Sequence, residues 1–270
     1  MKKPIKLTQI TMHFFPIYGG QETYINALNN IFEKNGIDIS VVQPISLRNK
    51  NKPKFVHYVP SLRFPGPLIT GIPFLVNMDW FWFNFMLRVK KTFLKKQDIL
   101  ISHYPFHYPT IAWHKNVIVV SHGLDWSEPT KLKFDKYKKY SAMVAKNKGA
   151  KIVANDTSFL RTIGINVKEG TQFFEEIRKN IWFIPNCIDT NKFCFKKGKK
   201  EKIILVPRNI RKSRGIHLAI EAFNLFSQKH DDFIIKMVGG PLRGKYYKYC
   251  RDLVKQYSLE NKVQFTGNIP

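Results

Sequence analysis

The chain has 270 residues, 44% of them hydrophobic and 14% aromatic, which is enough apolar material for a large core and argues against wholesale disorder. Lys and Arg number 45 against 19 Asp and Glu, and the resulting net charge of +26 attracts polyanions such as nucleic acid, anionic lipid headgroups and phosphorylated substrates. The three cysteines show no CxxC spacing, so the sequence indicates neither a disulfide framework nor a zinc site, and a reducing compartment fits best.

The N-terminal residues predict a strand, a helix and a second strand. Polar residues interrupt the first apolar run, a pattern that does not fit a signal peptide, and we therefore expect a cytoplasmic protein. Residues 7–12 read as a strand, 21–35 as a helix and 37–42 as a strand. Apolar residues recur along the helix at three- and four-residue spacing, which predicts a buried face of Tyr24, Ala27, Leu28 and Ile31.

Further short apolar runs without alternation predict parallel strands that are covered on both faces. They lie at residues 99–102, 117–121, 151–154 and 181–184, and helix-length segments separate them. The expected fold class is therefore α/β, with a doubly wound, Rossmann-like first domain.

A basic stretch at residues 195–202 predicts a connection to a second domain, because such a run cannot contribute to a core. The second series then predicts strands at 203–206, 233–238 and 262–265 and helices at 215–229 and 246–257. The expected domains are residues 1–195 and residues 196–270. Three strands with two helices make a small unit, so we expect the second Rossmann-like domain to be incomplete.

Two positions in the first domain are candidates for ligand contact. Gly19 and Gly20 lie between the first strand and its helix, where bare backbone and a helix N-terminus favour a phosphate or carboxylate. The alternative is an ordinary tight turn. His122 directly follows the strand at 117–121, at the sheet edge where open α/β folds bind ligands, although a lone histidine is more often structural.

The loop after the strand at 203–206 carries several cations. It contains Arg208, Arg211 and Arg214 and ends at Gly215, where the next helix begins. Arginine side chains bind phosphate oxygens bidentately, so this loop is suited to a diphosphate. The alternative is a basic surface loop in a basic protein.

These segments together resemble glycosyltransferase family 4 over almost the whole chain. The matching residues are the segments 15–22, 121–125, 184–193, 207–215 with 219–223, 237–240 and 263–267. The resemblance implies the two-domain GT-B fold. It assigns catalytic roles to His122, Arg208 and Arg214, and donor binding to Gly19, Gly20, Asn186, Asp189, Gly239 and Ile269.

The resemblance also implies an activity: transfer of a sugar from a nucleoside-diphosphate sugar to a lipid-linked or glycan acceptor at the cytoplasmic membrane face, with retention of configuration. No tightly bound cofactor and no metal are expected, since the sequence has no convincing DxD carboxylate pair for a divalent ion. The family's two donor-binding glutamates normally come well after the position of Gly267, so we expect a C-terminal domain that lacks them.

Residues 73–96 predict a basic amphipathic helix of the kind that can lie in a lipid interface. The predicted polar stripe contains Asn77, Asn84, Arg88, Lys91 and Lys95, which would leave Trp80 and Trp82 on the apolar face. The alternative is a helix packed on the sheet. A different class of function, a non-catalytic basic protein that binds membranes or, less well supported, nucleic acid, also fits the charge.

Overall fold

The computed structural model describes residues 3–15, 17, 19–45, 53–60, 73–122, 133–167, 174–186, 188–191, 193–195, 198 and 200–269, without the side chains of 73–77 and 133–135. The chain forms two compact units, which we call unit 1 (Met1–Asp189) and unit 2 (Thr190–Pro270). The predicted domain boundary at residue 195 lies within unit 2.

Within the described residues, unit 1 is built on an eight-stranded sheet with the order β3-β2-β1-β4-β5-β6-β8-β7. The strands are β1 (Lys6–Ile10), β2 (Asp38–Pro44), β3 (Val56–Val59), β4 (Ile99–Ser102), β5 (Val117–Ser121), β6 (Lys151–Ala154), β7 (Glu175–Arg178) and β8 (Ile181–Phe183). All neighbours run parallel except β7 and β8. Because β1 lies between β2 and β4, the strand order reverses there, which makes the carboxyl ends of β1 and β4 a topological switch point.

Helices and the sheet together form the core of unit 1. The α-helices in the described part of this unit are α1 (Gly20–Lys34), α2 (Pro73–Val89), α3 (Lys91–Leu94), α4 (Tyr108–Ile111), α5 (Lys133–Asn147) and α6 (Thr157–Thr162). The central strands bury apolar residues without alternation, as in Ile10, Leu100 and Ile152, each with no exposed surface. Short apolar runs of this kind become buried because helices cover both faces of a parallel sheet. The fold class is thus the predicted doubly wound α/β type.

The buried face of α1 differs from the predicted one. Ile25 and Asn29 are buried, whereas Ala27 is exposed and Ile31 is 54% exposed. Ile25 packs with Phe14 in one core cluster, and Asn29 accepts a hydrogen bond from Gln9 of β1. The helix is rotated toward this polar pair because a buried glutamine on the strand needs a partner.

The polar stripe predicted for residues 73–96 is wrong at Asn84. This side chain is 7% exposed and pairs with His107, whose Nδ1 lies 2.7 Å from Asn84 Oδ1. The predicted single helix is divided into α2 and α3 at Lys90. Asn77 belongs to the part of α2 whose side chains lie outside the described residues.

Trp80 is also not an outward-facing residue. Its ring packs on Tyr104 and Phe106, with centroids at 4.7 and 5.3 Å, and stacks on His107. Trp82 donates its indole N–H to the Pro60 carbonyl at 3.0 Å. Trp80 therefore fits the alternative prediction, in which the helix packs on the rest of the domain. A different stripe of α2 faces outward.

Unit 2 contains a parallel three-stranded sheet, in the order β11-β10-β9, within the described residues. Its elements are β9 (Ile203–Pro207), α7 (Ile216–Ser227), β10 (Ile234–Val238), α8 (Lys245–Gln256) and β11 (Val263–Gly267). Ile216, Ile220 and Met237 form the centre of its core, each with no exposed surface. The predicted alternation of strands and helices is confirmed here. Across both units, none of the described helices has the length and apolar content needed to cross a bilayer.

Candidate functional site

The carboxyl ends of β4 and β5 bring two histidines together in unit 1. His103 directly follows β4 at the switch point, and its backbone N–H donates to the Ile10 carbonyl at 3.0 Å. His122 directly follows β5. Nδ1 of His103 lies 2.9 Å from Nε2 of His122, and the two rings are stacked with centroids 5.2 Å apart. His122 is therefore placed at the predicted sheet edge, in contact with a second histidine that the sequence analysis had not selected.

Buried polar side chains extend from His103 into the fold. Nε2 of His103 lies 2.7 Å from Gln9 Oε1, and the Gln9 amide donates to Asn29 Oδ1. His103, Gln9 and Asn29 are all buried. Beside them, the Tyr104 hydroxyl donates to Gln21 Oε1, so the start of α1 is tied to the same edge. The network places polar groups of four elements at the switch point, where ligands bind in this class of sheet.

Burial controls the charge of both histidines. Desolvation lowers the pKa of His122 to about 4. Desolvation, and to a lesser extent the neighbouring His122, lowers the pKa of His103 well below its ordinary value. Both imidazoles are therefore neutral at pH 7, and each carries a single N–H.

Gly19 and Gly20 begin α1 beside this edge. Gly19 is the N-terminal cap residue in extended conformation, and Gly20 is the first helical residue. A Cβ at Gly19 would lie 2.6 Å from Glu22 Oε2, whereas a Cβ at Gly20 would meet open space. Neither backbone conformation requires glycine, and the missing side chains leave room for Glu22 beside Gly19 and open space beside Gly20. The Glu22 carboxylate beside Gly19 opposes an anion at this position and favours a hydroxyl or amine group.

Asn186 and Asp189 lie beyond the end of β8, and both are exposed. Asn155, which follows β6, donates from Nδ2 to Asn186 Oδ1, and its backbone N–H lies 3.4 Å from the Ser121 carbonyl. These bonds connect the ends of β5, β6 and β8. Asn186 therefore belongs to the same edge of the sheet as His122.

In unit 2, exposed cations follow β9. Arg208, Arg211 and Arg214 are all exposed, whereas Ile210 between them is buried and anchors the loop in the core. Gly215 caps α7 in the left-handed conformation with φ of 65°. The loop thus presents guanidinium groups near a helix N-terminus, a combination that suits phosphate oxygens.

Gly239 holds the cationic loop close to the sheet. Its φ is 146°, and a Cβ there would lie 2.5 Å from the Arg208 carbonyl oxygen and 2.8 Å from the Arg208 carbonyl carbon. The neighbouring Gly240 carbonyl accepts a hydrogen bond from Ile210 at 2.9 Å. Glycine is needed at position 239 both for its conformation and for this close approach. Gly239 therefore positions the backbone that carries Arg208.

Ile269 follows β11 and is 60% exposed. Strands β9, β10 and β11 run parallel, so Arg208, Gly239 and Ile269 all lie at the carboxyl edge of the unit 2 sheet. The site residues predicted from the sequence thus fall into two groups, one at the carboxyl edge of each unit. Residues 123–125 and Cys187, which belong to the matching segments, lie outside the described residues.

His103, Gln9, Asn29 and Asn155 were missed by the sequence analysis. His103 follows a predicted strand in the same way as His122, so the same signal would have identified it. Gln9 and Asn29 carry no such signal, because their role depends on how α1 packs against β1.

His107 should make unit 1 sensitive to acid. Burial lowers the pKa of His107 from 6.5 to about 3. Between these values the unfolded chain binds a proton that the folded chain does not, so stability falls as pH is lowered below 6.5, by about 1.4 kcal/mol per pH unit for this group. All five tryptophans lie in unit 1, so urea unfolding followed by fluorescence at several pH values measures the slope. His107→Asn should reduce that slope by the amount that one bound proton contributes, about 1.4 kcal/mol per pH unit. An unchanged slope would contradict this role of His107.

Comparison with known proteins adds a family match and a set of similar folds. Residues 188–270 match the family model described as "Glycosyl transferases group 1". No curated protein sequence matches the chain significantly.

Among solved structures, sucrose-phosphate synthase from Thermosynechococcus elongatus is 14% identical, with a TM-score of 0.64 over 98% of this chain and 71% of that one. A glycosyltransferase from Rickettsia africae is 16% identical, with a TM-score of 0.62 over 99% of this chain and 69% of that one. HepE from Anabaena, solved with UDP and glucose, is 15% identical, with a TM-score of 0.61 over 98% of this chain and 70% of that one. The chain thus has the α/β architecture of GT-B glycosyltransferases.

Proposed function

We propose that this chain is a retaining glycosyltransferase of family 4 that moves a sugar from a nucleoside-diphosphate sugar to a lipid-linked or glycan acceptor. The family match of residues 188–270 covers all of unit 2. For unit 1, the proposal is supported by the fold and by the side chains at its sheet edge. HepE, a protein of similar fold, was solved with UDP and glucose, which supports a nucleotide sugar as the donor.

The proposal is supported by the side chains at the carboxyl edges of the two sheets, which are cationic in unit 2 and neutral but polar in unit 1. The edge of unit 2 offers Arg208 and Arg214, which suit a leaving diphosphate. The edge of unit 1 offers the neutral pair His103 and His122, which suits uncharged hydroxyl groups. A nucleoside-diphosphate sugar and its acceptor contain both kinds of group. In this proposal, charge that develops on the leaving diphosphate is stabilised by the guanidinium groups of unit 2.

Donor turnover tests the proposal. The purified chain is incubated with UDP-glucose, GDP-glucose, ADP-glucose and UDP-N-acetylglucosamine, and release of nucleoside diphosphate is measured without an acceptor. We expect slow hydrolysis of at least one donor, faster when a suitable acceptor is added. Failure to hydrolyse or bind any of a broad panel of sugar nucleotides would contradict the proposal.

A membrane-binding role is the second candidate, and one surface supports it. On α2, Phe81, Phe85 and Val89 are 48%, 53% and 59% exposed and follow one another at four-residue spacing. The Phe81 ring contacts Tyr137 of α5, and Tyr140 on that helix is 59% exposed. We call Phe81, Phe85, Val89 and Tyr140 the aromatic patch.

Basic residues accompany the aromatic patch. Arg88 on α2 and Lys136 and Lys139 on α5 are exposed, and the whole chain carries a net charge of +26. Peripheral membrane attachment generally needs an apolar element and an electrostatic one together. We propose that this surface holds the enzyme at the cytoplasmic face of a membrane, near a lipid-linked acceptor. A protein that binds the membrane in this way but consumes no donor would be the non-catalytic alternative.

Substituting the two exposed phenylalanines should weaken vesicle binding. Phe81→Ser with Phe85→Ser removes apolar surface that would enter the lipid interface, so we expect affinity for phosphatidylglycerol-containing vesicles to fall by about tenfold or more. Cosedimentation measures the effect. Leu218→Ser with Leu225→Ser is the matched control, because these unit 2 residues are 58% and 66% exposed on another surface.

The salt concentration separates the electrostatic contribution to vesicle binding from the apolar one. Raising it from about 0.1 to 1 M shortens the Debye length from about 10 to 3 Å and should release most of the protein. Equal binding to neutral and anionic vesicles would contradict the electrostatic part. Equal loss in the unit 2 control would contradict the assignment of the aromatic patch.

A further inference from the structure

A chain of hydrogen bonds runs from α1 to His122. It passes from Asn29 through Gln9 and His103 to His122. The first three side chains are buried, and the four residues belong to α1, to β1 and to the ends of β4 and β5. Because each link joins a donor to an acceptor, the direction of one bond fixes the direction of the next.

The direction can be followed from the buried end. The Gln9 amide nitrogen donates to Asn29 Oδ1, so the Gln9 group that faces His103 is the carbonyl oxygen, which only accepts. Nε2 of His103 therefore carries the proton. In a neutral imidazole the other nitrogen is bare, so Nδ1 of His103 accepts a hydrogen bond from His122 Nε2 at 2.9 Å.

The same reasoning applies to His122. Burial lowers its pKa to about 4, so at neutral pH the ring has one proton, which lies on Nε2. Nδ1 is then the acceptor of the ring, and the contact with His103 leaves its lone pair unused because that contact is made through Nε2. Tyr24 packs edge-on against the ring, with centroids 5.0 Å apart, and limits its rotation.

We infer that His103, oriented by Gln9 and Asn29, is a positioning residue that holds His122 in the tautomer whose Nδ1 accepts a hydrogen bond from a sugar hydroxyl. The hydroxyl part of this inference rests on the proposed function, whereas the tautomer does not. A bare Nδ1 repels phosphate oxygens, which are acceptors too. His122 therefore favours hydroxyl groups over phosphate oxygens.

Nitrogen-15 NMR tests the tautomer directly. In long-range proton–nitrogen spectra at pH 7, we expect His103 and His122 each to show a protonated, pyrrole-type Nε2 and a bare, pyridine-type Nδ1. Signals are assigned with the single variants His103→Phe and His122→Phe. A protonated Nδ1 on His122, or a cationic ring on either residue at pH 7, would overturn the inference.

Two variants at position 103 separate positioning from packing. His103→Phe keeps a ring but removes both nitrogens, so His122 should lose its single tautomer and kcat/KM for the donor should fall about tenfold, the value of one hydrogen bond. His103→Asn keeps an amide oxygen that can accept from His122 Nε2, and it should restore the tautomer and most of the activity. If both variants lose activity equally while the tautomer of His122 is unchanged, His103 has only a packing role.

Ligand titration tests whether His122 Nδ1 accepts a hydrogen bond from a sugar hydroxyl. The probe is the sugar nucleotide that is turned over fastest, compared with its nucleoside diphosphate alone. We expect the sugar nucleotide to shift the His122 Nδ1 resonance and the diphosphate to leave it unchanged, and an equal shift with both would overturn the assignment to a hydroxyl. If no sugar nucleotide is bound or turned over, the proposed function is wrong. The tautomer of His122 is tested independently by the spectra of the free protein.

Discussion

Arg208→Ala should lower the turnover number by a factor of about 100 to 1,000 while leaving the fold intact, because in the proposed reaction the guanidinium group stabilises charge that develops only as the diphosphate leaves. The side chain is exposed, and the buried Ile210 anchors the loop independently of it. Donor affinity should change less than turnover. Steady-state release of nucleoside diphosphate under saturating donor measures the effect.

Two variants control this experiment. Arg208→Lys keeps the charge but loses the bidentate fork, so its loss of turnover should be intermediate. Arg251→Ala removes an exposed arginine from α8 in the same unit and should have no effect. Turnover that is unchanged in Arg208→Ala, or equally reduced in Arg251→Ala, would contradict the assigned role of Arg208.

Gly239→Ala should destabilise unit 2 and displace Arg208. The added Cβ would lie 2.5 Å from the Arg208 carbonyl oxygen, and the φ of 146° is one that other residues rarely adopt. Strain of this kind costs on the order of 1–3 kcal/mol, and the loop must also move to relieve the contact. Hydrogen exchange at the amides of β10 should report the lost stability, and donor turnover should fall with it.

Gly198→Ala is the matched control for that substitution. A Cβ at Gly198 would meet no atom within 4 Å, so stability and turnover should stay unchanged. The role of Gly239 would be contradicted if the alanine variant kept both the exchange protection of β10 and full turnover.

Most of the strands could be predicted from the sequence because they are short apolar runs of the kind that a parallel sheet buries. The same pattern placed His122 and Arg208 at the ends of strands, where parallel sheets bind ligands. Strand β3 escaped prediction because it is a four-residue edge strand that contains a histidine. Strand β7 escaped prediction because it is antiparallel, and its charged residues Glu175 and Glu176 are exposed. Its formation depends on pairing with β8, which local sequence does not reveal.

The errors on the helices share one physical cause. Periodicity describes the apolar residues of a helix but not the polar residues that find partners in the core. Asn29 and Asn84 are both buried in the structure, one against Gln9 and the other against His107. Each rotates its helix away from the face predicted from apolar spacing. The Asn29–Gln9 pair also belongs to the polar network that reaches His103 and His122.

Transfer of a labelled sugar is the measurement that tests the central proposal most directly. The chain is incubated with a donor that carries a carbon-13-labelled sugar and with a panel of lipid extracts and glycans, and products are identified by mass spectrometry and NMR. We predict an acceptor that gains one labelled sugar for each nucleoside diphosphate released, with the anomeric configuration of the donor retained. Intact donors in every reaction, with the protein bound to anionic vesicles, would contradict the account and favour a non-catalytic membrane-binding protein.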